Sequence, residues 1–151
     1  MITIETSSPT SADSQALIEQ LSAELAAITG DNGKRHFTPQ DVSGARAVWV
    51  VAKDENCHPI GCGAIRPLSD TTAELKRMFS TRTCPGVGAA LLIWLEEAAL
   101  GMGYCELWLE TRKINTRALQ FYQKHGYVQI DNYGPYIGRE EAICLAKRLT
   151  N

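Results

Sequence analysis

The segment AELKRMFSTRTCPGVGAALLIWLEEAALG, residues 73–101, combines the pattern of a strand, a glycine-containing turn and a helix. Its first part alternates as a β-strand does, because side chains two residues apart on a strand share a face. Leu75, Arg77 and Phe79 are therefore predicted on one face, and Glu74 on the other. The strand thus carries a carboxylate shortly before the turn that follows it.

A turn with two glycines and a proline joins this strand to a helix. Pro85, Gly86 and Gly88 lie in the turn. From Val87 onward apolar residues recur at helical spacing, and Gly101 is predicted to end the helix as a left-handed cap. The first N–H groups of a helix lack partners and its dipole is positive there, so the turn is predicted to bind an anion. A glycine turn that merely packs is the alternative for this triplet alone.

Composition places the chain among single-domain globular proteins. With 151 residues, 44% hydrophobic and 21% charged, it is predicted to fold as one domain spanning residues 1–151. A net charge of −2 without a basic run argues against nucleic-acid binding. No apolar stretch nears the roughly 20 residues of a membrane span, and no signal peptide is recognisable. Five cysteines without a CxxC pair fit reduced thiols, so a cytoplasmic location is expected.

Periodicity along the whole chain predicts seven strands and four helices. The strands are predicted at residues 2–5, 47–52, 60–68, 73–79, 104–110, 127–130 and 142–149. The helices are predicted after Ser11 or Asp13, after Thr38, after the glycine turn, and after Asn115 or Thr116. Tight turns indicate an antiparallel meander, and the helical crossover makes the fifth strand parallel to its neighbour. The expected fold is α/β with three layers, a mixed and mostly antiparallel sheet of about seven strands, and about four flanking helices.

A second motif lies in LWLETRKINTRALQFYQKHGYVQI, residues 107–130. Its spaced residues are Asn115, Ala118, Phe121, Tyr122, Gly126 and Tyr127. Together with the carboxylate strand and the glycine turn, this spacing resembles the GNAT superfamily of N-acetyltransferases. The pattern of that family is a strand with Glu, a [Gln/Arg]-x-x-Gly-x-[Gly/Ala] turn that opens a helix, and Asn-x-x-Ala-x-x-aromatic-Tyr-x-x-x-Gly-aromatic. The resemblance implies the fold described above and acetyl-CoA as the acetyl donor.

The resemblance implies that the glycine turn binds the pyrophosphate of acetyl-CoA, with some departures from the family pattern. The backbone N–H groups expected to donate are those of Gly86, Val87, Gly88 and Ala89. Thr83 stands where the family has Gln or Arg, Arg82 comes one residue early, and Pro85 has no N–H to donate. The link before the first glycine is also shorter than in the family. The Thr83 hydroxyl and the Arg82 guanidinium are the expected substitutes.

The resemblance also implies a gap beside the strand of residues 73–79, into which the pantetheine arm enters. The arm would pair with the strand backbone around Phe79, at Met78 and Ser80. The Met78 N–H would donate to the thioester carbonyl oxygen and to the oxyanion formed as the amine attacks. Asn115 would bind a pantetheine amide, and a plain helix cap explains the same residue equally well.

Two residues match the acid and the base of the family. An amine with a pKa of about 10.4 is neutral in only about one molecule in 10³ at pH 7, so a base is useful. Glu74 matches the base of the histone-acetylating branch, and a salt bridge with Lys76 or Arg66 is the alternative. Tyr122 matches the tyrosine that protonates the leaving thiolate, and a core aromatic is the alternative.

The acceptor is expected to be a small-molecule primary amine whose identity the sequence does not specify. Tyr133 and Tyr136 flank a Gly-Pro pair in a loop that lies over the acceptor side in this fold, where they would either contact the acceptor or only pack. His36, His58 and His125 lack ligand spacing, so no metal is expected. The sequence is compatible with a homodimer and does not specify the oligomeric state. A non-catalytic acyl-CoA-binding module, or a protein that binds another phosphate ligand, are the competing interpretations.

Overall fold

One seven-stranded sheet runs through this protein, whose computed structural model describes residues 1–32 and 37–150. Its strands are β1 (Thr3–Ser7), β2 (Val48–Lys53), β3 (Pro59–Pro67), β4 (Thr72–Ser80), β5 (Glu106–Arg112), β6 (Val128–Ile130) and β7 (Ala142–Arg148). Its helices are α1 (Ala12–Thr29), α2 (Val87–Gly101) and α3 (Thr116–Lys124), with 3₁₀ turns at Pro39–Val42 and Gly134–Tyr136. His36, considered above as a metal ligand, lies outside the described residues.

The strand order is β1-β2-β3-β4-β5-β7-β6. β1 to β4 form an antiparallel meander, α2 carries the chain across to a parallel β5, and β7 pairs antiparallel with both β5 and β6. The predicted mixed, mostly antiparallel sheet is therefore confirmed. The second predicted helix is only the four-residue 3₁₀ turn at Pro39–Val42, which Thr38 and Asp41 close with a capping box.

The sheet separates two apolar cores, which gives the fold its three layers. On one side α2 and α3 pack on the sheet, with Leu91, Leu95 and Tyr122 among the buried side chains. On the other side α1 packs through Leu17 and Leu21 around Trp49. The Trp49 indole N–H donates to the Ser14 hydroxyl at 2.8 Å, so the buried polar group of each residue is satisfied.

The helix ends follow the predicted caps with one exception. The Ser11 side chain accepts from the Ser14 N–H at the start of α1, and Gly30 ends that helix with φ of 79°. Gly101 was expected to cap α2 and does not, because the Met102 N–H still bonds to the Ala98 carbonyl. The left-handed residue is Gly103, with φ of 94°, two positions later.

A β-bulge interrupts β4 at Arg77. Ala64 of β3 faces Lys76 and Cys62 faces Phe79, so Gly63 alone opposes two residues. Arg77 adopts φ of 54°, which is unusual for a residue with a side chain. The bulge makes the predicted alternation wrong: Leu75 belongs to the α2-side core, whereas Phe79 belongs to the α1-side core.

The pairing of β4 with β5 stops early. Only Thr72 to Glu74 pair with Glu106 to Trp108, although β4 continues to Ser80 and β5 to Arg112. From there the two strands part, and the β5-facing backbone groups of β4 have no strand partner. The predicted gap beside this strand therefore exists.

Gly61 provides a test of how tightly α2 packs on the sheet. A Cβ at this position would lie 2.8 Å from the Phe79 carbonyl oxygen and 2.9 Å from side chains of Leu91 and Val87. We expect Gly61→Ala to destabilise the protein by about 1–3 kcal/mol through overpacking, measured by urea unfolding.

Gly44→Ala is the matched control, because nothing lies within 4 Å of a Cβ built there. It should change stability by less than about 0.5 kcal/mol. Equal stabilities of the Gly61 and Gly44 variants would contradict the close approach of α2 to β3.

Candidate active site

A cavity of about 570 Å³ occupies the gap between β4 and β5. Its walls come from α1, both parted strands, the N-terminus of α2, α3 and the loop before β7. The elements that the sequence pattern separated along the chain therefore meet at one place. The cavity has two ends, one at the α2 N-terminus and one between α1 and the loop before β7.

The N-terminus of α2 offers backbone donors to the first end. Gly86 precedes the helix with φ of 82°, and the first helical bond runs from the Ala90 N–H to the Gly86 carbonyl at 3.0 Å. The N–H groups of Val87, Gly88 and Ala89 thus have no acceptor within the helix, and all three residues line the cavity. A Cβ at Gly88 would lie 3.4 Å from the Phe121 ring, so a larger side chain would fill the space in front of these donors.

The two expected substitutes for the missing family residue differ in position. Arg82 lines the cavity, and its guanidinium donates to the Glu24 carboxylate of α1 at 2.6 Å. Thr83 is not among the lining residues, and its hydroxyl shares a hydrogen bond with that of Thr81 at 2.8 Å. Of the two, only Arg82 stands where it can reach a ligand in the cavity.

The bulge orients the backbone of β4 toward the gap. The Cys62 thiol of β3 donates to the Arg77 carbonyl oxygen at 3.4 Å. No described peptide bond is cis, and a trans peptide points its C=O and its N–H in opposite directions, so the Met78 N–H points away from the Cys62 thiol. Met78, Phe79 and Ser80 all line the cavity. The backbone there can hydrogen-bond an extended ligand.

Asn115 caps α3 and lines the same cavity. Its side-chain oxygen accepts from the Ala118 N–H at 3.3 Å. Its amide nitrogen makes no hydrogen bond to the described residues. The cap and a ligand contact are therefore compatible in one side chain, because they use different atoms.

Tyr122 reaches the cavity from α3. Its ring is 8% exposed and packs edge-on against Phe121 and Tyr127, at centroid distances of 5.1 and 5.6 Å. Its hydroxyl makes no hydrogen bond to the described residues. Burial raises the pKa of Tyr122, so the hydroxyl keeps its proton at neutral pH and can donate it.

Glu74 is a buried carboxylate with both oxygens engaged. It is 1% exposed, and one oxygen accepts from the Arg66 guanidinium at 2.8 Å. The other oxygen accepts from the Tyr133 hydroxyl at 2.6 Å, and the Tyr136 hydroxyl lies 3.5 Å from it. Lys76 is more distant, at 3.9 Å. The ion pair with Arg66 that the sequence left open is present, and Glu74 still lines the cavity.

The two tyrosines of the loop before β7 occupy different layers. Tyr136 lines the cavity, and its hydroxyl accepts from the Lys76 ammonium at 3.2 Å. Tyr133 lies behind it, with its ring 5.1 Å from that of Trp108, and is not among the lining residues. Burial and the Glu74 charge raise the pKa of both tyrosines, so both remain hydrogen-bond donors.

Glu110 is a cavity residue that the sequence interpretation missed. It follows Trp108 by two positions on β5, beyond the last residue paired with β4. No cation among the described residues forms an ion pair with it. Burial raises the pKa of Glu110, although Arg112 and Lys76 act in the opposite direction. The alternation of β5 could have indicated this position: Leu107 and Leu109 are buried on the α2 side, so Glu110 lies on the opposite face.

Residues 1–32 and 37–150 contain neither a candidate metal site nor a candidate membrane-spanning helix. No cluster of three or more His, Cys, Asp or Glu side chains there is arranged to hold a metal ion. No helix in this part of the chain combines the length and the apolar character needed to cross a membrane.

Comparison with known proteins agrees with this geometry. Residues 15–127 match the model of the acetyltransferase (GNAT) family. An IAA acetyltransferase of Azospirillum brasilense is 30% identical over 140 residues, which cover 89% of this chain and 90% of that protein. A structure from Klebsiella pneumoniae assigned to the acyl-CoA N-acyltransferases has a TM-score of 0.83 and 26% identity, with 99% of each chain covered.

A GNAT acetyltransferase of Elizabethkingia anophelis, solved with acetyl-CoA bound, shares the fold, with a TM-score of 0.71, 21% identity and 98% of each chain covered. The family match spans most of the chain and includes the glycine turn, Glu74, Asn115 and Tyr122. This protein is a member of the acetyltransferase (GNAT) family.

Proposed function

We propose that this protein transfers the acetyl group of acetyl-CoA to the primary amine of a small molecule, by direct attack within a ternary complex. One observation carries the proposal: unpaired helix N–H groups, the free edge of β4 and the Tyr122 hydroxyl all border a single cavity. A cytoplasmic location is part of the proposal and is supported by the five cysteines, which are all free.

The cavity wall suits acetyl-CoA, which supplies an acetyl group activated as a thioester. The N–H groups of Val87, Gly88 and Ala89 would hold the pyrophosphate, because a helix N-terminus favours an anion. Arg82 stands beside them, and its guanidinium would bind the phosphates either in place of Glu24 or together with it. The Asn115 amide and the edge of β4 would hold the pantetheine arm. The Met78 N–H would then donate to the carbonyl oxygen of the thioester.

Tyr122 is proposed to give a proton to the leaving sulfur. Its hydroxyl is unpaired among the described residues and remains protonated because of burial. Proton transfer by a positioned side chain contributes typically about 10²- to 10⁴-fold to a rate. The alternative of a purely structural ring is weakened by the position of the side chain in the cavity wall.

Two carboxylates compete for the role of base. Glu74 is the residue that the family resemblance indicates, but both of its oxygens already accept hydrogen bonds. Glu110 borders the same cavity without an ion pair to the described residues, and its raised pKa makes it the better proton acceptor. We therefore propose Glu110 as the base and Glu74 as the residue that positions Tyr133 and Tyr136. Tyr136 remains a proposed acceptor contact. Tyr133 does not line the cavity, and it would position Tyr136 by packing against its ring.

The first prediction concerns cofactor binding. Acetyl-CoA should stabilise the protein against heating, by about 2.7 kcal/mol at a hundredfold excess over Kd, and ATP should do so much less. Gly88→Glu should abolish the effect, since it places bulk and negative charge before the helix donors. Gly101→Glu, at the far end of α2 where nothing lies within 4 Å of a Cβ, should retain it. If millimolar acetyl-CoA leaves the melting temperature of the wild type unchanged, the proposed function is wrong.

The second prediction concerns the acid. Tyr122→Phe should lower kcat by about tenfold or more without changing acetyl-CoA affinity, because the ring stays and the proton donor is lost. Tyr104→Phe is the control, since Tyr104 is also buried but donates to the Arg46 carbonyl away from the cavity. Steady-state kinetics and calorimetric titration with acetyl-CoA measure the two quantities. An unchanged kcat in Tyr122→Phe would contradict the assignment, and binding without any turnover in the wild type would favour the non-catalytic module.

The third prediction separates the two carboxylates by pH. Burial raises the pKa of Glu110, so kcat/KM should fall as the pH drops through that pKa and Glu110 becomes protonated. Glu110→Gln should lower kcat/KM by about 10²-fold or more and abolish this acidic limb. Glu74→Gln should keep the acidic limb of the kcat/KM profile. Tyr133→Phe should have the same pH profile as Glu74→Gln. Loss of the limb in Glu74→Gln but not in Glu110→Gln would restore Glu74 as the base.

A further inference from the structure

Arg77 is a buried cation in the cavity wall. The residue is 9% exposed and lines the end of the cavity between α1 and the loop before β7, beside Leu21, Leu25 and Phe37. The bulge is what turns it there, since Lys76 and Arg77 both point to the α1 side of β4. Its φ of 54° is a strained conformation, of the kind that persists where the surroundings enforce it and that concentrates at functional sites.

The hydrogen bonds of Arg77 go to neutral groups, and it forms no ion pair within 4 Å among the described residues. Burial lowers the pKa of Arg77, and the charge of Glu19 on α1 only partly opposes this. One terminal nitrogen donates to the Ser22 hydroxyl at 2.8 Å, and the other to the Asn32 carbonyl at 3.4 Å. The Nε atom is buried and has no partner. These contacts tie β4 to α1 and to the segment after it through neutral groups only. The guanidinium lies 5.8 Å from the centre of the Phe37 ring.

The other arginines around the cavity are different. Arg112 pairs with Asp31 at 2.7 Å, Arg139 with Glu141 at 3.7 Å, and Arg82 with Glu24 at 2.6 Å. Arg117 also lines the cavity but is exposed to solvent. Arg77 is therefore the one buried guanidinium of the described cavity wall that forms no ion pair within 4 Å. Burying a charge without an ion pair is unfavourable, so a bound anion would be favoured beside it.

We propose that the acceptor is an amine that also carries a carboxylate, and that Arg77 binds this carboxylate. The inference rests on the proposed function and names the class of its acceptor. Arg77 lies on the β4 side of the gap and Glu110 on the β5 side, so the two ends of a zwitterion would each meet the opposite charge. Leu21, Leu25 and Phe37 form an apolar wall that suits an aliphatic or aromatic side chain, as in apolar α-amino acids.

Matched pairs of acceptors test the inference. Phenylalanine and phenethylamine differ only in the carboxylate, as do leucine and isoamylamine. Wild-type kcat/KM should favour each amino acid by about tenfold or more, because a site built to pair a group rejects the analogue that lacks it. In Arg77→Gln the ratio should fall to about one. In Arg77→Lys it should be intermediate, since lysine keeps the charge and loses the planar fork.

Arg148→Gln is the control for loss of one arginine charge, because it lies at the end of β7 and does not line the cavity. It should keep the wild-type ratio. A wild-type ratio near one, or an undiminished ratio in a folded Arg77→Gln variant, would overturn the inference. Circular dichroism and the acetyl-CoA thermal shift establish that each variant folds.

A binding measurement on the wild type covers the case in which Arg77→Gln does not fold. With CoA bound, 3-phenylpropanoate should raise the melting temperature and 3-phenylpropanamide should not. No difference between the two would overturn the carboxylate site. A protein that binds acetyl-CoA and acetylates none of the amines would overturn the proposed function instead, and the phenylpropanoate result would still decide the present inference.

Discussion

The early end of the pairing between β4 and β5 is the constraint on which the site depends. Three residue pairs hold the strands together, and the bulge at Arg77 then bends β4 away from its neighbour. The bend leaves strand backbone unpaired inside the domain, where such groups are costly unless a ligand or water satisfies them. The cavity lies beside this unpaired edge, whose backbone groups are able to hydrogen-bond an extended ligand.

A buried carboxylate braces the point where the strands part. Glu74 is the last residue of β4 that pairs with β5, and it joins Arg66 of β3 to Tyr133 of the loop before β7. Removal of one partner would leave a buried charge uncompensated, at a cost of about 3–5 kcal/mol. The loop that carries Tyr136 into the cavity wall is therefore held by the same contact that closes the sheet behind it.

The charges around the cavity divide it into two chemically different ends. At the α2 end, the helix N–H groups and Arg82 are the groups proposed to bind the phosphates. At the α1 end most charged side chains are already paired, as in Asp31 with Arg112, and the exceptions are Glu110 and Arg77. Tyr122 and the Met78 N–H lie along the wall that connects these ends. Donor and acceptor can therefore be recognised by separate groups and still meet at the gap.

Local patterns determined which elements form, and contacts between elements decided how the site works. The antiparallel meander, the parallel β5, the Ser11 and Gly30 caps, and the start of α2 after the glycine turn followed from periodicity and turn or cap chemistry, which act within a few residues. The bulge could not be predicted in this way, because it is a mismatch in register between two strands and no residue pattern within either strand indicates it. The burial of Glu110 and of Arg77 likewise depends on α1 and the parted strands, which only the tertiary structure brings together. The family motif pointed to Glu74, but only its hydrogen bonds to Arg66 and Tyr133 showed that its oxygens are already occupied.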